Sequence, residues 1–117
     1  MLTLPSFLTP LESAVITAML ENSESGEVLR TQITLGRLES REHNGYGFFT
    51  TFSIPDEASL CSLIDERLLA GAMVGGEPCG FILWIKNGKV DFFEGYPLSG
   101  DAWPSSESFD QLVVHPK

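Results

Sequence analysis

"FILWIKNGKVDFFEGY", residues 81–96, is the stretch whose reading decides the fold. Two apolar runs flank Asn87-Gly88, a dipeptide that accepts the positive φ angles of a two-residue type I′ turn, so the segment reads as a tight β-hairpin. Such a turn sets the register. It places Lys86 opposite Lys89, Ile85 opposite Val90, Trp84 opposite Asp91, Leu83 opposite Phe92 and Ile82 opposite Phe93. On that register one face holds Phe81, Leu83, Ile85, Val90 and Phe92, and the other holds Ile82, Trp84 and Phe93. A surface hairpin needs only one apolar face. Here both are apolar, which predicts a hairpin in the middle of a sheet with a cover on each side.

Burying Ile82, Trp84 and Phe93 would remove about 400 Å² from water. At ~25 cal/mol per Å² that is on the order of 10 kcal/mol as an upper bound. Left exposed, the patch would approach the largest found on monomers. Three covers are open: the rest of this chain, through a second helix or the tail with Trp103 and Phe109; a second copy; or a different protein.

Working outward, "LTPLESAVITAMLEN", residues 8–22, predicts a helix. Thr9 can cap it, Pro10 suits the first helical position and Glu12 completes a capping box. Leu11, Ala14, Val15, Ala18 and Met19 form its apolar stripe, matched to the first face of the hairpin. Residues 27–38 alternate, with Leu29, Thr31, Ile33 and Leu35 on one side, and predict a half-wet strand. Residues 46–54, "YGFFTTFSI", predict a second strand that Pro55 stops. Residues 56–69 have helical period through Leu60, Leu63, Ile64, Arg67 and Leu68. A short strand follows near residues 69–74, and the run Leu112–Val114 suits an edge strand. The sum is an α+β fold: an antiparallel sheet of about four to six strands, an N-terminal helix packed on one face and a second short helix. No repeat or linker divides residues 1–117, so one globular domain is expected.

The 117 residues carry a net charge of −9. That charge repels phosphate backbones, and the seven Lys and Arg residues form no cluster, so nucleic-acid binding is not expected. No apolar run reaches the ~18 residues of a membrane span. The first residues lack the pattern of a secretion signal, and two cysteines make no disulfide framework, which predicts a cytoplasmic location.

Constellations for chemistry are thin. His43 lies in a polar stretch and His115 near the C-terminus, neither beside a nucleophile in sequence. Cys61 and Cys79 read as incidental or buried thiols. Two cysteines and two histidines without paired spacing predict no zinc site, and there is no phosphate loop, calcium loop or nucleophile elbow. No cofactor, metal or catalytic residue is therefore expected. Glu94 stands out because the hairpin register puts it on the apolar face beside Val90 and Phe92. A buried lone carboxyl would have a raised pKa, as a general acid needs; the simpler reading is that the face ends there. Tyr96, Asp101 and Trp103 could line a small pocket, or cap the end of the sheet.

The segments "YGFFTTFSIP", "CGFILWIKNGKVDFFEGY" and "AWP" resemble those of small uncharacterised bacterial proteins that have a G-F-F/Y-T strand, a glycine-led apolar hairpin ending E-G-Y, and a W-P soon after. The resemblance spans roughly residues 45–104. It implies an α+β domain and transfers no activity; some small acidic bacterial proteins of this general type are immunity proteins that neutralise a toxin. The expected function is thus non-enzymatic protein binding, as an immunity-type inhibitor, with Ile82, Trp84, Asp91, Phe93, Glu94, Tyr96 and Trp103 as binding residues and another protein or a second copy as partner. The alternatives are a small-molecule site with weak hydrolase chemistry through Glu94 or His43, and a homodimer of structural role.

Overall fold

The computed structural model describes residues 4–62, 65–100 and 102–115. The chain runs through two helices, α1 (Pro10–Glu21) and α2 (Gly26–Leu35), and then six strands: β1 (Arg37–His43), β2 (Phe48–Ser53), β3 (Asp65–Val74), β4 (Glu77–Lys86), β5 (Lys89–Pro97) and β6 (Phe109–His115). The strands form one antiparallel sheet in the order β1-β2-β5-β4-β3-β6. The expected α+β class holds, and the β4–β5 hairpin occupies the centre of the sheet.

α1 forms where its sequence predicts and with the predicted cap, but Ile16 and Leu20, rather than Ala14 and Ala18, complete its buried face. The Thr9 hydroxyl accepts from the Glu12 amide, and the Glu12 carboxylate accepts from the Thr9 amide, completing the box. Leu11, Val15, Ile16, Met19 and Leu20 are buried against the sheet.

Three elements differ from the sequence reading, the first being β1: residues 39–47 read as a polar, turn-rich connection, but 39–43 belong to β1, which pairs with β2. Residues 26–35 are helical, not extended, so the second helix lies here. Leu29, Gln32 and Ile33 are its buried residues, at the spacing of one helical face, while Leu35 is exposed. Thr31 and Thr34, residues that favour strands, donate their hydroxyls to the carbonyls of Glu27 and Arg30 one turn back, which accommodates them in a helix. Conversely, the described part of residues 56–69 forms no helix: 56–62 are a loop and β3 begins at Asp65. β3 pairs with β4 from Asp65↔Lys86 to Val74↔Glu77 and with β6 on its other side, and this two-sided pairing overrides the local period. Leu63 and Ile64, part of the expected helical stripe, lie outside the described residues, as does Asp101.

Both helices share one side of the sheet. Between them and the strands sits the core: Phe48 and Phe52 of β2, Leu68, Ala70, Ala72 and Val74 of β3, Cys79, Phe81, Leu83 and Ile85 of β4, and Val90 and Phe93 of β5. The segment before β6 returns to the same side, where Trp103 sets its ring edge-on to Phe48 and Phe81, centroids 5.0 and 6.1 Å away.

The turn of the hairpin is as expected, with φ of 53° at Asn87 and 78° at Gly88. Lys86↔Lys89 and Ile85↔Val90 also hold, and then the register slips at a β-bulge. Trp84 pairs with Phe92, Leu83 with Phe93, Ile82 with Glu94, Phe81 with Gly95 and Gly80 with Tyr96. The extra residue exchanges the faces of everything after Asp91. Without it the Glu94 carboxylate would project into the core and Phe93 would leave it. With it, Phe93 is fully buried and stacked on Phe81 at 5.7 Å, and Glu94 leaves the apolar interior. Burying a lone carboxylate would cost several kcal/mol, so the slipped register wins.

Candidate functional site

The slipped register builds an outer face, opposite the helices, from alternate residues of each strand. Phe49 of β2, Phe92 of β5, Trp84 of β4 and Arg67 of β3 lie side by side across four strands. Ring centroids are 5.9 Å apart for Phe49–Phe92 and 5.8 Å for Trp84–Phe92, and the Arg67 guanidinium sits 5.9 Å from the Trp84 ring. The Trp84 indole N–H donates to the Glu94 carboxylate at 3.1 Å. A cation on one side and a carboxylate on the other thus hold the indole in one pose. Beside it, a shallow depression of about 330 Å³ is lined by Arg67, Trp84, Lys86, Asp91 and Phe92 among others.

Ile82, Trp84, Phe92 and Phe49 are each half-buried, shielded mainly by one another. Among the described residues neither helix is packed over them: α1 contacts β3 and β6, α2 contacts β5, and both helices share the buried core on the other side of the sheet. The intramolecular cover that the two-faced hairpin invites, from a second helix or from the tail, is therefore absent from the described residues. The second helix and the Trp103 segment both add to the first face.

The sequence-derived binding residues separate accordingly. Ile82, Trp84, Asp91, Glu94 and Tyr96 share the outer face. Phe93, expected beside Trp84, is instead a core residue, because the bulge turned it inward. Trp103 packs on the helix side, with its N–H given to Glu107 at 3.0 Å. Phe92, Phe49 and Arg67 were missed. The signal for Phe92 was available: a regular register buries Glu94, and that conflict marks the bulge.

The motifs behind the sequence resemblance converge on packing. Gly80 leaves room for the Tyr96 ring, and a Cβ there would come 2.5 Å from it. Gly95 does the same for Phe48 on the other face, at 2.3 Å. The aromatics cover the glycines across the strands, and Trp103 closes over Phe48.

The chemistry-bearing groups do not converge on one site. Glu94 is engaged by the indole, whereas His43 lies against Phe48 with ring centroids 5.5 Å apart, on the helix side, so the two form no acid–base pair. Cys79 is buried, and burial, helped by the Glu77 carboxylate, pushes its thiol up to about 11. Among the described residues no three His, Cys, Asp or Glu side chains are grouped to hold a metal ion. A larger concavity of about 440 Å³ lies at the end of α1 beside β3 and β6, and its titratable groups, Glu24 and His115, are exposed. Also among the described residues, no helix is long and apolar enough to cross a membrane. Compared with family models, curated proteins and solved structures, the chain matches none.

Proposed function

We propose that this chain is a non-enzymatic protein-binding module of the cytoplasm that docks through the outer face of its sheet. One observation carries the reading: a row of aromatic side chains, Phe49, Phe92 and Trp84, spans the sheet on the side opposite both helices. An open antiparallel sheet ordinarily presents polar residues there. Trp and Arg are the residues that most often dominate binding energy, and an indole already held by Glu94 and Arg67 loses little freedom on contact. The net charge of −9 suits an immunity-type inhibitor, since it accelerates encounter with a basic target.

A photo-crosslinking amino acid at position 84, compared with one at Val28 on α2, tests this. In the source cell, position 84 should yield protein adducts and position 28 should not. Equal yields from both positions, or none from either, would remove the proposal.

A further inference from the structure

We infer that the concavity at the end of α1, beside β3 and β6, binds a small primary amine with an apolar body. This goes beyond protein binding at the outer face, since the concavity shares no lining residue with the depression beside Trp84.

Three observations select it. The first is form. The concavity holds about 440 Å³, within the roughly 300–1,000 Å³ of small-molecule sites. It lies where the β3–β6 pairing ends, at Leu69 and His115, and where the turn between α1 and α2 reaches the sheet. Met19 and Leu68 in its walls are buried, and Leu69 and Val114 are half-buried, so its interior is apolar.

The second is a hydroxyl without a partner. Ser25 lines the concavity and is 8% exposed. It stands at the N-cap of α2, yet its side chain makes no cap bond, because its backbone, at φ −93° and ψ 10°, is not in the extended conformation of a capping residue. The Ser25 amide donates to Ser23 Oγ at 3.2 Å, and among the described residues its own hydroxyl has no partner. Also among the described residues, no side-chain polar atom sealed from solvent lacks a bond, so this hydroxyl opens onto the concavity. A ligand group seated there would satisfy it.

The third is polarity. Asn22 donates its Nδ2 to the Ala18 carbonyl at 2.9 Å, which leaves Oδ1 as its available atom. With the Glu24 carboxylate and the hydroxyls of Ser25 and Ser62, this makes a rim rich in acceptors. Among the described lining residues there is no Lys or Arg, and the chain is at −9. An anion is therefore repelled, whereas an ammonium, with three donors, meets Asn22, Glu24 and Ser25 while its apolar body lies on Met19, Leu68 and Val114.

Titration of the isotope-labelled full chain with phenethylamine, followed through amide chemical shifts, tests the inference. Phenethyl alcohol and phenylpropionate serve as the neutral and anionic counterparts. The amine should bind saturably with a Kd of about 1 mM and move amides within residues 19–25, 68–69 and 114–115. The alcohol should bind about fivefold more weakly and the propionate more than about tenfold. Ser25→Ala should weaken the amine about fivefold and leave the urea midpoint unchanged, because the hydroxyl bonds to nothing in the folded chain. Glu24→Gln, at an exposed site, should weaken the amine about threefold and the alcohol not at all. No saturable binding, equal binding of the three probes, or shifts confined to other residues would overturn the inference. So would a fall in urea midpoint on Ser25→Ala, which would make the hydroxyl structural.

Discussion

At Glu12 four donors converge on one buried carboxylate: the Thr9 amide, the Thr50 hydroxyl, and Nε and Nη2 of Arg41 at 3.2 and 2.5 Å. Arg41 also donates to the Phe7 carbonyl, so a single guanidinium ties the N-terminal segment and α1 to the edge strand β1. Removing one partner leaves the other buried charge uncompensated. Arg41→Ala should therefore cost about 3 kcal/mol in urea unfolding, and adding Glu12→Gln to it should cost much less than the sum of the two. Gln32 does comparable work. It donates to the carbonyls of Ser59 and Gly88, both at 2.8 Å, and accepts from the Val90 amide, linking α2 to the hairpin turn. Neither role is legible in sequence, where Gln32 reads as a wet residue and Arg41 as part of a turn. At Cys79 the folded state holds the thiol proton more tightly than the unfolded chain does, with a pKa of about 11 against 9.0. The associated stability is complete below pH 9 and is lost as pH rises toward 11. The alkaline fall in urea midpoint between those values should be smaller in Cys79→Ala than in wild type. At neutral pH a thiol reagent should leave Cys79 unmodified until the protein unfolds.

At the scale of elements, the hairpin shows which local rules survive packing. Asn87-Gly88 determines its turn, because few residues accept φ of 53° and 78° in succession. The bulge that follows depends on longer-range demands: Phe93 must reach Phe81, Glu94 must leave the core, and Gly95 must lie under Phe48. Gly95→Ala tests the last of these. The new methyl would strike the Phe48 ring and should cost about 1–3 kcal/mol. In a Phe48→Ala background the same change should cost appreciably less, and equal costs in both backgrounds would refute the packing account.

For the whole molecule, the two sides of the sheet differ in kind. Both helices, the N-terminal segment and Trp103 build one core on one side, and among the described residues neither helix covers the aromatic row on the other. Adjacent residues on β4 measure this difference. Leu83→Ala, in the core, should cost about 2–5 kcal/mol, whereas Trp84→Thr on the open face should change unfolding free energy by no more than about 1.5 kcal/mol. It should nonetheless abolish the protein adducts of a photo-crosslinking residue placed at position 51, which lies opposite Phe92 on the same face. A cost at Trp84 equal to that at Leu83 would mean that the outer face is core.

By itself, the amino-acid sequence determined the features whose physics is local. These are the capped helix α1, the type I′ turn, the antiparallel α+β class and the apolar character of both hairpin faces. Tertiary structure alone decided the helix at α2, the strand at β3, the bulge at Asp91 and the side left uncovered. Residues 26–35 and 65–69 carry patterns compatible with either secondary structure, and long-range partners broke those ties: Gln32 reaching the hairpin, and β3 paired on both sides. A short segment's period differs little in energy between helix and strand, whereas burying a carboxylate or losing a ladder of hydrogen bonds costs several kcal/mol.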